Sequence, residues 1–534
     1  MINRSTWRKW CVALAVAVGL FLCAAEGIAA VRMPKIFGNA MVLQREMAVP
    51  VWGSAKPGEK VTVSFAGQQK TATADAYGKW MVRLDAMPTS KSPRELIVAG
   101  ENTVTFQNVL VGEVWLCGGQ SNMELRVLSC LNLEAEKAAA TNSAIRCIKI
   151  TGQDGTLPME DVVGQWVACS PDAVQTFTAA GYFFAREIAK ELDVPVGLIS
   201  DNWGGTRIEP WTPPEGFRAV PELAEINKLV DGWVLTSDAG RRSYAAYLAS
   251  VKAWLPEAEA AFNVNRNPPP PPQPAGAPAG IGQPTRLYNG MIAPVVPYAI
   301  RGAIWYQGEA NNGEGVTYFQ KMKALIAGWR QLWGEGDFPF YYVQLANFQK
   351  SDPNNPAGGD GYATVREAQF QALSIPNTGM AVAIDLGEAG DIHPKNKQDV
   401  GKRLALWALS RDYGKKDLVV SGPLYKSFAV EGNKIRVSFD YVGGGLIVGE
   451  KNGLEPAKEV AGGKLKWFAI AGEDKVWHWA DAVIDGRTVL VSCPEVAKPV
   501  AVRYAFAMNP EGANLYNKEG LPASPFRTDR PGGM

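Results

Sequence analysis

Three polar segments of the chain contain the residue types that acyl-transfer chemistry requires, and each of them follows a short apolar run. The first is residues 118–123, Gly-Gly-Gln-Ser-Asn-Met, in which Ser121 stands at a change from a strand pattern to a helix pattern. Glycines let the backbone turn tightly there, and amides at a helix N-terminus face developing negative charge. Ser121 is therefore a candidate nucleophile, and a serine that caps a helix after a glycine turn is the structural alternative.

The other two segments supply hydrogen-bond donors for a negatively charged oxygen. Residues 203–207 have the sequence Trp-Gly-Gly-Thr-Arg, and residues 305–311 have the sequence Trp-Tyr-Gln-Gly-Glu-Ala-Asn. Free glycine amides and the side-chain amides of Gln and Asn are the groups that form an oxyanion hole. Each segment alone is also compatible with an ordinary turn at the end of a strand.

The sequence contains only two histidines, His393 and His478. This number excludes histidine-rich metal sites, and the chain has no H-E-x-x-H or C-x-x-C motif, so we expect no metal and no cofactor. Asp391 precedes His393 by two residues, and residues i and i+2 of an extended backbone share a face, so this carboxylate can orient the imidazole. A surface turn held by Asp391 and Pro394 is the alternative. His478 lies between two tryptophans, which is typical of a packed or ligand-facing histidine on a sheet.

Alternating strand and helix patterns surround these segments. The apolar runs that predict strands are residues 111–117, 196–199, 303–306, 340–343 and 380–384, and the amphipathic stretches that predict helices are residues 183–192, 318–333, 365–373 and 399–409, with a further helical stretch from the first glycine pair to about residue 140. This alternation predicts an α/β fold with a parallel sheet and helices on both faces. Ligands of such sheets bind at the carboxyl ends of the strands, where the polar segments lie.

Regions of different pattern flank this α/β region. Residues 31–110 alternate short apolar runs with turn residues, which predicts an N-terminal β-sandwich-like module, and residues 420–534 predict a C-terminal β-rich module. The catalytic α/β domain would then span residues 111–419. It is interrupted at residues 213–287 by a helical and Pro-rich insertion, whose composition is typical of a stiff, solvated linker or the edge of a lid.

The chain of 534 residues carries 54 Lys and Arg against 53 Asp and Glu, so it has no charge pattern for binding nucleic acid or an anionic membrane. Residues 1–30 resemble a secretory signal peptide, with Arg4, Arg8 and Lys9 before an apolar run at residues 11–25 and small residues near Ala30. The run is shorter than the ~20 residues of a spanning helix. We expect cleavage near Ala30, a secreted or periplasmic protein, and no membrane contact afterwards.

Loss of Cys11 and Cys23 with that segment would leave five of the seven cysteines. An odd number leaves at least one free thiol in an oxidising compartment. Cys130 and Cys147 are possible partners, but the sequence does not determine any pairing.

Four segments in order resemble the sialate O-acetylesterase branch of the SGNH hydrolases. Residues 119–123 are similar to its nucleophile block and residues 203–206 to its glycine block, while residues 305–309 take the place of the Gly-x-Asn-Asp block of other SGNH enzymes. Residues 392–398, Ile-His-Pro-Lys-Asn-Lys-Gln, are similar to its histidine block. The resemblance extends into both flanking β regions and implies an SGNH-like fold and a metal-free carbohydrate O-acetylesterase.

The resemblance also implies roles for single residues. Ser121 would be the nucleophile and His393 the general base and then acid. The oxyanion donors would be the Ser121 amide, an amide of Gly204 or Gly205, and the Gln307 side chain. We further expect that four residues bind substrate: Asn122, Arg207, Glu309 and Asn311.

The third member of the triad does not follow from this resemblance alone. Many SGNH enzymes have the aspartate three residues before the histidine, where this chain has Gly390. Asp391 stands two residues before it and is our choice. Asp385, Glu388 and Glu309 are alternatives, as is a Ser-His dyad oriented by a backbone carbonyl.

The implied reaction is two-step acyl transfer, in which a serine takes the acetyl group from a sugar hydroxyl and water then releases acetate. Acetylated sialic acid is the expected substrate, and Arg207 could pair with its carboxylate or form a structural salt bridge. The alternatives are an acetyl-xylan or other plant-glycan acetylesterase and, in another class, a non-catalytic carbohydrate-binding protein with many tryptophans. The oligomeric state does not follow from the sequence.

Overall fold

The computed structural model describes residues 31–273 and 275–530, so the predicted signal peptide at residues 1–30 lies outside the described residues. The strands are β1 Val42–Gln44, β2 Val49–Ser54, β3 Lys60–Phe65, β4 Gln68–Thr73, β5 Lys79–Leu84, β6 Ser90–Ala99, β7 Thr103–Gly119, β8 Ile145–Lys149, β9 Trp166–Ala168, β10 Val196–Asn202, β11 Gly302–Tyr306, β12 Phe340–Val343, β13 Thr378–Ala381, β14 Leu424–Glu431, β15 Lys434–Asp440, β16 Leu446–Glu450, β17 Lys458–Glu459, β18 Phe468–Gly472, β19 Trp477–Trp479, β20 Asp481–Asp485, β21 Thr488–Ser492, β22 Pro499–Tyr504, β23 Leu515–Asn517 and β24 Phe526–Arg527. The α-helices are α1 Ser121–Glu124, α2 Leu133–Ala139, α3 Ala179–Leu192, α4 Pro214–Arg218, α5 Ala224–Asp231, α6 Asp238–Asn263, α7 Val316–Trp333, α8 Gly361–Gln371 and α9 Lys397–Arg411.

The central sheet has the strand order β13-β12-β11-β7-β10-β8-β9, and its strands are parallel except for the edge strand β9. Helices cover both faces, which confirms the predicted α/β fold class. β7 lies between β10 and β11, and its last residue, Gly119, is opposite both Asn202 and Tyr306. The residues that follow these three strand ends therefore meet at one edge of the sheet.

β7 is a single strand of 17 residues that belongs to two regions. Its first part pairs antiparallel with β6 of the N-terminal β region, and its second part pairs parallel with β10 and β11. The expected boundary between residues 110 and 111 falls inside this strand. The buried carboxylate of Glu113, a residue of β7, holds this strand in place by binding Arg45 and, at 2.9 Å, Arg301. Burial alone would raise the pKa of Glu113, but these cations outweigh it and hold that pKa below its usual value.

The helix expected from the first glycine pair to about residue 140 is wrong in its length. The structure has two short helices there, α1 and α2. The backbone between them turns away because the Leu125 carbonyl accepts a hydrogen bond from the Ala179 amide, and Arg126 forms a β-bridge with Thr178. These contacts with the start of α3 replace the hydrogen bonds that would continue the helix.

The C-terminal region consists of antiparallel sheets with the orders β14-β15-β21-β20, β17-β16-β23 and β19-β18-β22-β24. Buried side chains attach it to the central sheet region. Arg366 of α8 donates to the carbonyls of Ala507 and Met508, and Gln344 binds Ser524. This region is therefore packed against the carboxyl-end side of the α/β domain rather than joined to it by a free linker.

The five cysteines among the described residues are all free thiols and all buried. Cys130 and Cys147, which we considered as possible partners, are therefore not paired with each other. None of the described helices is both long and apolar enough to cross a membrane.

Asp201 in β10 is a fully buried carboxyl group, and neither of its oxygens has a hydrogen-bond partner among the described residues. Burial raises its pKa to about 7, although the charge of Lys149 opposes this rise. The native protein thus keeps a proton that the unfolded chain loses near pH 4, so the free energy of unfolding falls as the pH rises from about 4 to about 7.

Asp201→Asn removes this charge with little change in volume. We expect it to raise the melting temperature by several degrees at pH 8 and by much less at pH 4, as measured by thermal unfolding at both values. The exposed Asp417→Asn is the matched control. An effect of equal size at both pH values would contradict a buried charge as the cause.

Candidate active site

Ser121 is the first residue of α1 and lies directly after the central strand β7. The turn before it requires glycine, because Gly119 has φ +137° and an added Cβ would lie 2.2 Å from the Tyr306 carbonyl oxygen. Gln120 donates its amide to that same carbonyl at 3.0 Å, which anchors the turn to β11. Among the described residues, neither the Ser121 hydroxyl nor its amide has a hydrogen-bond partner. The serine is thus half-buried, fixed in backbone position and free in its hydroxyl.

The glycine segment after β10 lies against this serine. A Cβ added to Gly204 would be 3.3 Å from the Ser121 Cβ, so any larger residue would crowd the Ser121 side chain. The Gly204 amide donates to the Glu124 carboxylate at 2.7 Å. Gly205, at φ +73°, has an amide without a partner in the described part of the chain. In these two segments the amides of Ser121 and Gly205 are therefore donors without a partner among the described residues.

Gln307 takes a different role from the expected oxyanion donor. Its side chain is fully buried, and its Nε2 lies within hydrogen-bond distance of Gln120 Oε1, the Thr206 carbonyl and Asn311 Oδ1. Its Oε1 accepts from the Tyr318 hydroxyl at 2.9 Å. With both amide hydrogens used internally, Gln307 holds the three polar segments together.

Asn311 and Arg207 also have internal partners. Asn311 is fully buried, accepts from the Ile208 amide and donates to Glu209 and Glu314. The Arg207 guanidinium pairs with the same two glutamates, at 3.1 Å for Glu209. Arg207 therefore forms the salt bridge that we considered as the alternative to binding a substrate carboxylate. Asn311 connects the loops after β10 and β11 through its bonds to Ile208 and Glu209.

A buried lysine completes this group of charges. Lys321 of α7 lies 2.6 Å from both Glu209 and Glu314. Burial raises the pKa of Glu209, but Lys321 and the Asn311 amide outweigh this effect and hold that pKa below its usual value. The two glutamates are thus neutralised by two cations, and the loops after β10 and β11 are tied to one helix.

His393 lies on the loop between β13 and α9, with its imidazole next to Asp391. The distance from Nδ1 to Asp391 Oδ1 is 3.2 Å, and the same oxygen accepts the His393 backbone amide at 2.9 Å. The amide and the imidazole hold the pKa of Asp391 below its usual value. About a third of the His393 side chain is exposed, so part of the imidazole is open to solvent.

The other three carboxylates that we considered bind elsewhere. Asp385 is buried in a bidentate pair with Arg403, at 2.6 and 2.8 Å. Glu388 contacts Lys395, and Glu309 contacts Asn122. The geometry therefore favours Asp391 as the carboxylate that orients His393.

Asn122 joins the serine turn to the histidine loop. Its Nδ2 donates to the Ile392 carbonyl at 3.0 Å and to Glu309 at 2.5 Å, and its Oδ1 accepts from Lys397 at 2.8 Å. Only 1% of Asn122 is exposed, so this residue, expected to bind substrate, binds the protein instead. The residue after Ser121 thus holds the carbonyl just before His393.

The charges around Asn122 are deeply buried. Burial raises the pKa of Glu309, although Asn122, Lys397 and His393 oppose the rise, and burial lowers the pKa of Lys397 to about 8. Glu309 is therefore also an internal residue rather than one exposed to substrate.

Sequence reasoning missed Glu124 and Lys397. Glu124 stands three residues after Ser121, a spacing that usually indicates a capping box. Lys397 lies in the first turn of a helix, where a positive charge is unfavourable because of the helix dipole. This unfavourable position could have indicated that Lys397 has a partner elsewhere in the fold, which the structure shows to be Asn122.

Asn122→Asp should disrupt the site while preserving side-chain volume. A carboxylate there loses the donor to the Ile392 carbonyl and repels Glu309, so the histidine loop should shift. We expect kcat for ester hydrolysis to fall about 10²-fold with little change in KM, and part of the loss to be recovered at lower pH, where the two carboxyls can share a proton. Steady-state kinetics from pH 5 to 9 measures this, with the exposed Asn267→Asp as control. A pH-independent loss would contradict the proposed repulsion.

The sequence and fold are similar to those of known carbohydrate esterases. The family model for carbohydrate esterases described as sialic acid-specific acetylesterases matches residues 279–410, which include the segment after β11 and His393. Sialate O-acetylesterase of Homo sapiens is 28% identical over 539 residues, covering 93% of this chain and 92% of the human protein. That of Rattus norvegicus is 30% identical over 435 residues, covering 74% of this chain and 76% of the rat protein. The solved structure of a carbohydrate acetylesterase from Xanthomonas citri has a TM-score of 0.75 and 36% identity, covering 94% of this chain and 100% of that one. This chain therefore belongs to the family of sialic acid-specific acetylesterases and is a carboxylic ester hydrolase.

Proposed function

We propose that this protein removes O-acetyl groups from sugars with Ser121 as nucleophile and His393 as general base. The observation that carries the proposal is the Asn122 bridge, which joins the turn of Ser121, whose hydroxyl has no partner among the described residues, to the loop on which His393 pairs with Asp391. A protein that only binds carbohydrate needs no such pairing. The amides of Ser121 and Gly205, which have no partner among the described residues, would supply the oxyanion donors of acyl transfer.

The reaction follows from these positions. The Ser121 oxygen attacks the acetyl carbonyl carbon while His393 takes the hydroxyl proton, and Asp391 stabilises the resulting imidazolium. The amides of Ser121 and Gly205 donate to the oxyanion of the tetrahedral intermediate. His393 then returns the proton to the sugar oxygen as the ester bond breaks. Water, activated by His393, attacks the acetyl-serine and releases acetate.

Acetylated sialic acid is the proposed substrate, because the curated relatives in the comparison are sialate O-acetylesterases. The Arg207 salt bridges favour a second candidate, a neutral acetylated plant glycan such as acetyl-xylan, because that arginine already has carboxylate partners. Acetate release from a panel of acetylated sialic acids and acetylated xylans separates the two candidates.

We also propose export, supported by the basic and apolar pattern of residues 1–30. N-terminal sequencing of protein recovered outside the cytoplasm tests this, and a chain that retains those residues in the cytoplasm would contradict it.

Ser121→Ala and His393→Ala should each lower kcat on p-nitrophenyl acetate by about 10³–10⁶-fold without a change in melting temperature, because each removes a reacting group. His478→Ala is the matched control and should retain most activity, since it lies on β19 of the C-terminal region. Acetate release by a folded Ser121→Ala protein at the native rate would refute the mechanism.

Asp391→Asn tests the orienting carboxylate. We expect a loss in kcat of up to ~10⁴-fold, since an amide can leave the imidazole in the wrong tautomer. Glu388→Gln, which changes a carboxylate of the same loop that contacts Lys395, should have little effect. A loss of tenfold or less with unchanged stability would remove Asp391 from the mechanism and leave a Ser-His dyad.

A further inference from the structure

A cleft of about 540 Å³ separates the histidine loop from the C-terminal region. Gly387 and Ala389, just before Asp391, line one side, and residues 448–452 line the other. The two sides are fixed to each other, because Asn396 donates to the Gly453 carbonyl at 3.1 Å and Lys451 pairs with Asp399 at 2.8 Å. The cleft therefore begins at the loop that carries the proposed general base.

A second depression, of about 670 Å³, continues from this cleft and shares Lys466 and Glu511 with it. Its other walls are Trp467 and Trp479 of the C-terminal region and Lys350 of the α/β domain. We call these five residues the tryptophan groove. It extends the surface near the histidine loop into the C-terminal β region.

The two indoles of the tryptophan groove are held rigidly. They form an edge-to-face pair with ring centroids 5.2 Å apart and an interplanar angle of 88°. The Trp467 indole N–H donates to the Glu511 carbonyl and that of Trp479 to the Pro353 carbonyl, each at 2.7 Å. Trp479 is nevertheless 38% exposed, and Trp467 has φ +65°, an uncommon conformation for a bulky residue. The hydrogen bonds of both indoles thus restrain their orientation, and part of the Trp479 side chain remains exposed to solvent.

Polar groups surround this ring surface. Lys350, Lys464 and Lys466 have no salt-bridge partner within the described ranges, although each lines the cleft or the tryptophan groove. A flat apolar ring beside free hydrogen-bond donors matches a pyranose ring, which has an apolar face and a rim of hydroxyl groups.

We propose that the tryptophan groove binds sugar units of the glycan chain that lie several residues away from the acetylated one. This inference rests on the proposed function, because it assigns the acetyl ester to Ser121 and the remainder of the chain to the groove. The occupant is an oligosaccharide, since neither Ser121 nor His393 lines the cleft or the tryptophan groove, so the groove would bind sugar units other than the one at the serine.

Trp479→Ala tests the groove in the full-length enzyme. On the acetylated polysaccharide that the enzyme hydrolyses fastest, KM should rise about tenfold, while kcat/KM on p-nitrophenyl acetate should remain unchanged. The KM of Trp479→Phe on the polymer should lie between those of the native enzyme and Trp479→Ala, because phenylalanine retains an aromatic face. The exposed Tyr77→Ala, in the N-terminal region, is the control. Equal changes on the polymer and on the small ester would overturn the proposal.

Binding measured without turnover separates this inference from the proposed function. Xylohexaose and 3′-sialyllactose are titrated into Ser121→Ala and into Ser121→Ala/Trp479→Ala by isothermal calorimetry. Binding of either sugar to the first protein, weakened about tenfold in the second, supports the groove even if Ser121 proves not to be the nucleophile. Absence of binding for both sugars, or equal affinity in the two proteins, overturns it.

Discussion

The side-chain amide of Asn122 is the contact on which the geometry of the site depends. It connects the serine turn to the loop of His393 across 270 residues of sequence. Each hydrogen-bonding atom of this buried amide has a partner, and an unpaired polar group at that depth would be costly, so the arrangement has one stable orientation. Ser121 and His393 are therefore held in relative position by the side chain of the residue next to the serine and the carbonyl next to the histidine.

Ion pairs around buried carboxylates perform the same task for the other loops of the sheet edge. Glu209 and Glu314 with Arg207 and Lys321 hold the loops after β10 and β11, and Asp385 with Arg403 holds the start of the histidine loop. Such pairs contribute little net stability, but loss of one partner leaves a buried charge, which makes each loop conformation well defined. Arg207, which we expected from the sequence to bind substrate, therefore has a structural role in these loops.

The flanking β regions share elements with the α/β domain instead of standing apart from it. β7 runs from the N-terminal region into the middle of the parallel sheet and ends at the serine turn. The C-terminal region is fixed through Arg366 and Ser524, and it forms one wall of the cleft at the histidine loop. The cleft at the histidine loop is consequently lined by two regions of the chain.

The sequence by itself determined the α/β fold class, because strand and helix periodicities alternate and the apolar runs are long enough to be buried strands. It also identified the serine turn, since a glycine pair stands there between a strand pattern and a helix pattern, and the structure shows why glycine is required: a Cβ on Gly119 would lie 2.2 Å from the Tyr306 carbonyl oxygen. With only two histidines, the sequence limited the candidates for a general base to His393 and His478, and the local spacing of Asp391 correctly placed that carboxylate beside the His393 imidazole.

Only the tertiary structure decided which polar side chains face substrate and which face protein. Gln307, Asn311, Asn122 and Glu309 lie in the expected segments, but each is buried with partners that are mostly distant in sequence. The Gly204 amide likewise binds Glu124, 80 residues away. An amide or carboxylate can bind many groups, and its actual partner depends on the register of neighbouring strands and the depth of burial. Neither quantity is encoded in a short motif, so motif spacing locates a site without fixing the direction of its side chains.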